Sequence, residues 1–329
     1  MMKKTISQCM IVKNEEKNIR RALSWGKDIM CEQIVVDTGS SDRTVEIARE
    51  MGAKIFFFPW INDFAAAKNF AIDQAKGDWI AFLDADESFT PEDTKKIPEI
   101  LEYVGDDVDG LLTGIVDLDE NNHITSGGTM IRFFVNRPDL RYVGKIHEHL
   151  VRKGRSGLHL TDATEQLAFL HTGYQEQEKK DKSKFERNLN IILEILKQEP
   201  ENCDYLGYLG DTYSSDGKNE EARDAYKKAV AAMPEKLEVY DQRSSYTYTN
   251  LLRVSQCLNA PEAEVEAIYK EAVEKLPKEP DFDCVMGEWY WRKGQYEKAV
   301  QMYELAIAKL DLWNSEQGDH YHLHADPDV

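Results

Sequence analysis

The tripeptide Asp84-Ala85-Asp86 closes an apolar run at residues 79–83. Two carboxylates one residue apart at a strand end offer hard oxygen donors of the kind Mg²⁺ or Mn²⁺ takes, and a nucleoside diphosphate can add oxygens to the same ion. Alone the pattern is weak, because acidic pairs at strand ends are usually solvated loop. Other polar residues also follow predicted strands. Asn14 and Glu15 come after the first. A helix cap and a first-turn acid explain them, and the acid suits the helix dipole. Asp37 opens the turn Asp37-Thr38-Gly39-Ser40-Ser41-Asp42. Its spacing favours an Asx turn or a cap; the alternative is a carboxylate turned to the N–H of a uracil ring. Lys68 and Asn69 lie on a predicted helix ahead of the acidic strand. The lysine is read as exposed or, alternatively, as a cation beside a diphosphate.

The elements that would position these residues follow from hydrophobic period. Residues 5–12 form a buried strand. Residues 13–25 have helical spacing, with Ile19, Ala22 and Leu23 on one face. A short apolar strand leads into Asp37, a helix covers 44–51, and Gly52 stands where a C-cap glycine would. A third strand stops at Pro59, a helix spans 63–76 before Gly77, and a fourth strand runs into the acidic cluster at 84–87. This alternation predicts a doubly wound parallel sheet. Ligands of such sheets bind beyond the carboxyl ends of the strands, so Asn14, Asp37 and the cluster at 84–87 are expected to converge on one edge. Further strands are expected at 108–118, 128–136 and 141–151. Gly127 and Gly128 are read as a loop near the acceptor or a hairpin turn. From about 176 everything reads as helix.

Composition narrows the function. The formal net charge is −19 over 329 residues. Phosphate-backbone binding normally needs a basic face, so no nucleic-acid partner is expected. A nucleotide ligand remains compatible, since a cation can bridge carboxylates to phosphates. The five cysteines include no CxxC pair, which fits reduced thiols in a cytoplasmic protein better than disulfides or a zinc site. Cys9 sits in an apolar run and reads as a small core residue. No stretch approaches the roughly 20 apolar residues of a membrane span.

Residues 5–90 resemble the family 2 glycosyltransferases of the GT-A fold. The motifs are MIVKNEE at 10–16, VVDTGSSDRT at 35–44, DFAAAKN at 63–69 and FLDADE at 82–87, in the family's order. The resemblance implies that Asp37 contacts uracil, that Asp84 and Asp86 form the metal and diphosphate site with Mn²⁺ or Mg²⁺, and that Lys68 or Asn69 helps hold the nucleotide alongside Asn14 and Glu15. Residue 68 is often arginine in similar sequences; lysine keeps the charge and loses the planar fork. A carboxylate late in such domains serves as catalytic base, and Glu148 in RYVGKIHEHL is the match. Inverting sugar transfer needs that group to take the acceptor proton. His171 in LHTGY is the candidate third metal ligand, with His147 competing for the role.

The helical half repeats. Leu209, Gly210, Tyr213, Ala222, Tyr226, Ala229 and Pro234 fall at tetratricopeptide spacings, and Met286, Gly287, Tyr290, Ala299, Tyr303 and Ala306 repeat the register. Between them Tyr269, Ala272 and Pro277 mark only the second helix of a degenerate unit. The expected architecture is therefore an α/β GT-A domain over 1–175, an all-α tetratricopeptide domain over 176–315, and a polar tail over 316–329. His320, His322 and His324 in that tail need no metal to explain them. The expected activity is metal-dependent, inverting transfer from a UDP-sugar to a protein, peptide or glycan acceptor, with a homodimer also compatible. Two other readings are a tetratricopeptide interaction module with an inactive sugar domain, and a nucleotidyltransferase. The second lacks its glycine-rich basic phosphate loop after the first strand.

Overall fold

The computed structural model describes residues 4–155, 157–172, 182–238 and 241–317. The chain forms two compact units, Met1–Asp181 and Lys182–Val329. The boundary expected at 175/176 and the histidines of the tail lie outside the described residues.

The first unit is built on a sheet of order β3-β2-β1-β4-β7-β6-β11-β5, with β10 beside β6. Strands β1 (Ile6–Val12), β2 (Glu32–Asp37), β3 (Lys54–Phe57) and β4 (Trp79–Phe82) pair in parallel. Most of β1 and all of β4 are buried, as expected where helices cover both faces. Helices α1 (Ile19–Ser24), α2 (Thr44–Glu50) and α3 (Phe64–Asp73) connect them. The chain steps outward from β1 to β2 and β3, then crosses back to place β4 on the other side of β1. That reversal opens a crevice beyond the strand ends.

The sheet is mixed and not all-parallel. Strand β7 (Ile124–Val135) runs antiparallel to both β4 and β6 (Gly110–Leu118). The physical reason is the connection: a tight turn at Asp119–His123 leaves room only for a hairpin. Gly127 and Gly128 are inside β7, paired with Val116 and Ile115, so neither forms the expected loop or turn. The strand expected over 141–151 is a hairpin, β8 (Leu140–Val143) and β9 (His149–Arg152). Its bend needs left-handed backbone at Gly144 and His147. Helix α1 is shorter than its sequence pattern, because Asn14 takes a φ of 59° and residues 13–18 form a turn instead. Strands β5 (Glu87–Phe89), β10 (Leu160–Asp162) and β11 (Ala168–His171) complete the sheet, and helix α4 (Pro91–Tyr103) follows β5.

The second unit is all helical: α5 (Lys182–Gln198), α6 (Cys203–Ser215), α7 (Asn219–Ala232), α8 (Gln242–Cys257), α9 (Glu262–Lys275), α10 (Asp281–Arg292) and α11 (Tyr296–Gln317). The degenerate middle repeat has both its helices. Its corner uses Asn259 in the left-handed region, where the flanking units use Gly217 and Gly294. The regular units pack glycine against tyrosine. A Cβ on Gly210 would lie 2.4 Å from the Tyr226 ring, and one on Gly287 2.7 Å from Tyr303. Gly210→Ala should therefore lower stability by about 1–3 kcal/mol through overpacking, although alanine improves helix propensity by about 1 kcal/mol. Urea unfolding checks this, and an unchanged or raised midpoint would refute the close-packing account.

Candidate active site

The crevice is built from two cross-stitched loops. The Asn14 N–H donates to Ser40 Oγ at 2.9 Å, and Asn14 Oδ1 accepts from the Ser41 N–H at 2.8 Å. The Glu15 N–H donates to Thr44 Oγ1 at 2.7 Å and the Glu16 N–H to Asp42 Oδ2 at 3.1 Å. Asn14 thus joins the two loops and does not cap α1. Asp37 ends β2 buried, accepting the N–H groups of Gly39 and Ser40, which is the Asx geometry its spacing favours. The Glu15 carboxyl is half-buried, and its proton affinity is raised by that burial and by the nearby charges of Asp86 and Asp84. The ends of β1 and β4 therefore face one another with acidic side chains.

Asp84 and Asp86 point different ways. Asp86 Oδ2 lies 3.3 Å from His171 Nε2, and His171 Nδ1 lies 2.7 Å from Asp117 Oδ1. The Asp86 carbonyl accepts from the Thr172 N–H and hydroxyl and from Arg21, which fixes the residue against β11. Asp84 turns instead toward Arg132, 3.4 Å away. The expected trio of Asp84, Asp86 and His171 is not assembled: among the described residues no three His, Cys, Asp or Glu side chains are grouped to hold a metal. Arg132 draws Asp84 aside. What remains is one carboxylate and one imidazole, with the imidazole oriented from behind by Asp117, as ligating histidines usually are.

Lys68 is neither exposed nor on an open surface. Its Nζ is 2.6 Å from Glu148 Oε1, and both side chains are largely buried. The ammonium also lies over the rings of Phe82 and Tyr142. Burial pushes its pKa down, but electrostatic attraction to Asp84, Tyr142 and Glu148 outweighs that and raises it. Asn69 holds the backbone: its amide bonds both the N–H and the carbonyl of Tyr142 on β8. Asn69 thus anchors the β8–β9 hairpin, a role its sequence position did not reveal. Lys68, Asp84, Arg132, Tyr142, His147 and Glu148 line one cavity of about 310 Å³. His147 is on the cavity wall, while His171 is the histidine beside Asp86.

Comparison with known proteins places the two units in families. The family described as "Glycosyl transferase family 2" matches residues 7–152. Residues 7–152 are a glycosyl transferase family 2 domain. Tetratricopeptide repeat families match 205–235 and 285–316. The SPbeta prophage-derived glycosyltransferase SunS of Bacillus subtilis is 33% identical over 231 residues, 69% of this chain and 53% of that protein. A TPR repeat-containing protein of Synechococcus elongatus is 29% identical over 316 residues, 92% of this chain and 75% of its own. Among solved structures, S. aureus TarS overlaps 80% of this chain and 54% of its own at a TM-score of 0.44 and 14% identity. The chain spans about half the length of the first curated relatives it matches.

Within the family 2 domain, sequence reasoning missed Arg132, Asp117 and the role of Glu87. Arg132 pairs with Glu87 on β5, both buried. Burial raises the Glu87 pKa, Arg132 opposes the rise, and Asp84 adds to it. A lone arginine inside the apolar run MIRFF was the available signal, since a cation is buried only with partners. His171 is raised to about 9, first by its hydrogen bond to Asp86 and then by Asp117. Before any metal binds, that proton contributes stability below the ordinary histidine pKa, and the contribution is lost as pH rises through about 9. Arg132→Met leaves Glu87 and Asp84 facing each other without their cation. We expect a loss of about 3–5 kcal/mol at neutral pH. Without the guanidinium Glu87 holds its proton more tightly still, so the deficit should shrink on acidification. Unfolding at pH 7.5 and pH 5 measures both, and a deficit equal at the two pH values would count against a charge origin.

Proposed function

We propose that the chain transfers a sugar from a UDP-sugar to a protein, peptide or glycan acceptor, with inversion and with a divalent cation. The observation that carries this reading is that Asp84 and Glu148 line the same cavity. A carboxylate of the donor site and a carboxylate able to take a proton are thereby brought to one volume, from distant points in the chain.

Glu148 accepts the acceptor proton as the nucleophile attacks C1 and the bond to the diphosphate breaks. As part of its ligand shell, Asp86 and His171 would hold the cation, which would supply positive charge to offset the negative charge building on the departing diphosphate. An imidazole in that shell favours Mn²⁺ over Mg²⁺, which prefers oxygen throughout. Asp37, at the end of β2, faces the uracil edge, and the stitched Asn14–Glu15 loop closes the nucleotide side. Tetratricopeptide repeats commonly engage protein partners, which makes a protein or peptide acceptor reasonable; we place the protein in the cytoplasm. Among the described residues no helix is long and apolar enough to cross a membrane.

Calorimetric titration with UDP, with and without Mn²⁺, tests the reading on wild type and Asp86→Ala. Binding should require the metal and be lost in the variant. Silence with both UDP and GDP would sink the transferase reading and leave the repeat unit as the functional part. The histidine adds a second expectation. Because His171 holds a proton up to about pH 9, Mn²⁺ must displace it from Nε2, and metal affinity should fall as pH drops from 9 to 6. Titration of Mn²⁺ at pH 7 in buffers of different ionisation enthalpy should report about one proton released per ion. No release would remove His171 from the ligand set.

A further inference from the structure

We propose that Lys68 is a positioning residue for Glu148 and not a ligand of the diphosphate. This inference rests on the transferase reading and assigns the base its support. Helix α3 grips the β8–β9 hairpin at three places. The Phe64 N–H donates to the Lys145 carbonyl at 2.8 Å. Lys68 Nζ meets Glu148 Oε1 at 2.6 Å. Asn69 bonds the Tyr142 N–H at 2.9 Å and its carbonyl at 2.8 Å. All three contacts come from the first turn and a half of α3, so a single rigid element sets the height and angle of the hairpin.

The bend it supports is strained. His147, immediately before Glu148, has a φ of 53°, which a non-glycine residue adopts only when its surroundings hold it there. Lys68 is enclosed by the Phe82 and Tyr142 rings, 5.2 and 5.0 Å from Nζ. Those walls confine the ammonium and direct it at Glu148. A cation spent on a carboxylate this closely, inside apolar walls, is poorly placed to reach an anionic ligand without abandoning a buried charge. The ion pair engages Oε1 and leaves Oε2 to receive the acceptor proton. Group transfer is unchanged: the nucleophile's proton passes to Glu148, and the electron pair of the C1–O bond leaves with UDP.

Lys68→Met, Lys68→Arg, Glu148→Gln and the double variant Lys68→Met/Glu148→Gln separate the two roles. The probes are UDP binding with Mn²⁺ and hydrolysis of UDP-glucose, with water as the acceptor. Positioning predicts that Lys68→Met keeps UDP affinity and donor KM within about twofold, while kcat falls about a hundredfold, the scale of a lost general base. Lys68→Arg should recover part of kcat, and the double variant should be no slower than Glu148→Gln, because both lesions strike one device. A tenfold loss of UDP affinity in Lys68→Met, or an unchanged kcat, would overturn the proposal. If wild type neither binds UDP nor hydrolyses UDP-glucose, the transferase reading itself fails. The pairing is then judged from melting temperatures of the two single variants and the double: additive losses overturn it, and non-additive losses keep Lys68 as the residue that sets the hairpin.

Discussion

Charge compensation between largely buried side chains governs this site. Lys68 and Arg132 are both buried beside Asp84. Neither cation could be there alone, since an unpaired buried charge costs several kcal/mol. Each brings its own carboxylate, Glu148 for Lys68 and Glu87 for Arg132, and the two share Asp84. The pairing ties α3, β4, β5, β7 and the β8–β9 hairpin together through side chains. Those elements come from separate stretches of chain, so the site forms only when the sheet closes around it. A rigid, pre-paired cluster is also what chemistry at an anomeric centre needs, because polar groups already oriented need not reorganise as charge develops.

Backbone constraints do the corresponding work at the ends of β1 and β2. The loops after β1 and β2 carry few apolar residues and could be mobile. They are held instead by side chains capping each other's N–H groups, Asn14 to Ser41 and Asp42 to Glu16. The left-handed backbone of Asn14 makes this exchange possible. Asparagine tolerates that conformation better than most residues, and its short amide reaches the neighbouring loop. A helix cap would have satisfied the local sequence equally well; the tertiary arrangement chose the bridge.

This contrast shows what was legible in the sequence. The alternation of strands and helices up to Phe82 has strong local periods, and it predicted β1 to β4 and the convergence of Asn14, Asp37 and Asp84 at one edge. Past residue 108 the direction of each strand depends on partners far away in sequence, so the antiparallel β7 and the split of 141–151 into β8 and β9 were not visible. The same limit applies to the site. The resemblance groups Asp86 with His171 as metal ligands, and their side chains lie 3.3 Å apart. The grouping of Asp84 with them failed because Arg132, one residue in an apolar strand, competes for that carboxylate. Of the two sequence readings of Lys68, exposure does not hold, since solvent access at an α3 position is decided by the hairpin folded over it. The degenerate middle repeat was half-seen for a similar reason: glycine at a helix corner is an easy signal, and Asn259 performs the same turn without it.

The overall charge of −19 makes the local polarity of the cavity more telling. A protein this acidic repels anions at long range, and screening confines that effect to about 8–10 Å in physiological salt. Inside the cavity the balance differs: Lys68 and Arg132, with His147 and His149 on the wall, stand against Asp84 and Glu148. Two cations at depth face three carboxylates once Glu87 behind Arg132 is counted, so most of the local negative charge is compensated at close range. Glu15 lies outside that cluster, and its proton affinity is raised first by burial and then by the charges of Asp86 and Asp84. Burial of acidic groups at the crevice without matching cations is unfavourable until a cation arrives, and a divalent ion bound by Asp86 and His171 would relieve it.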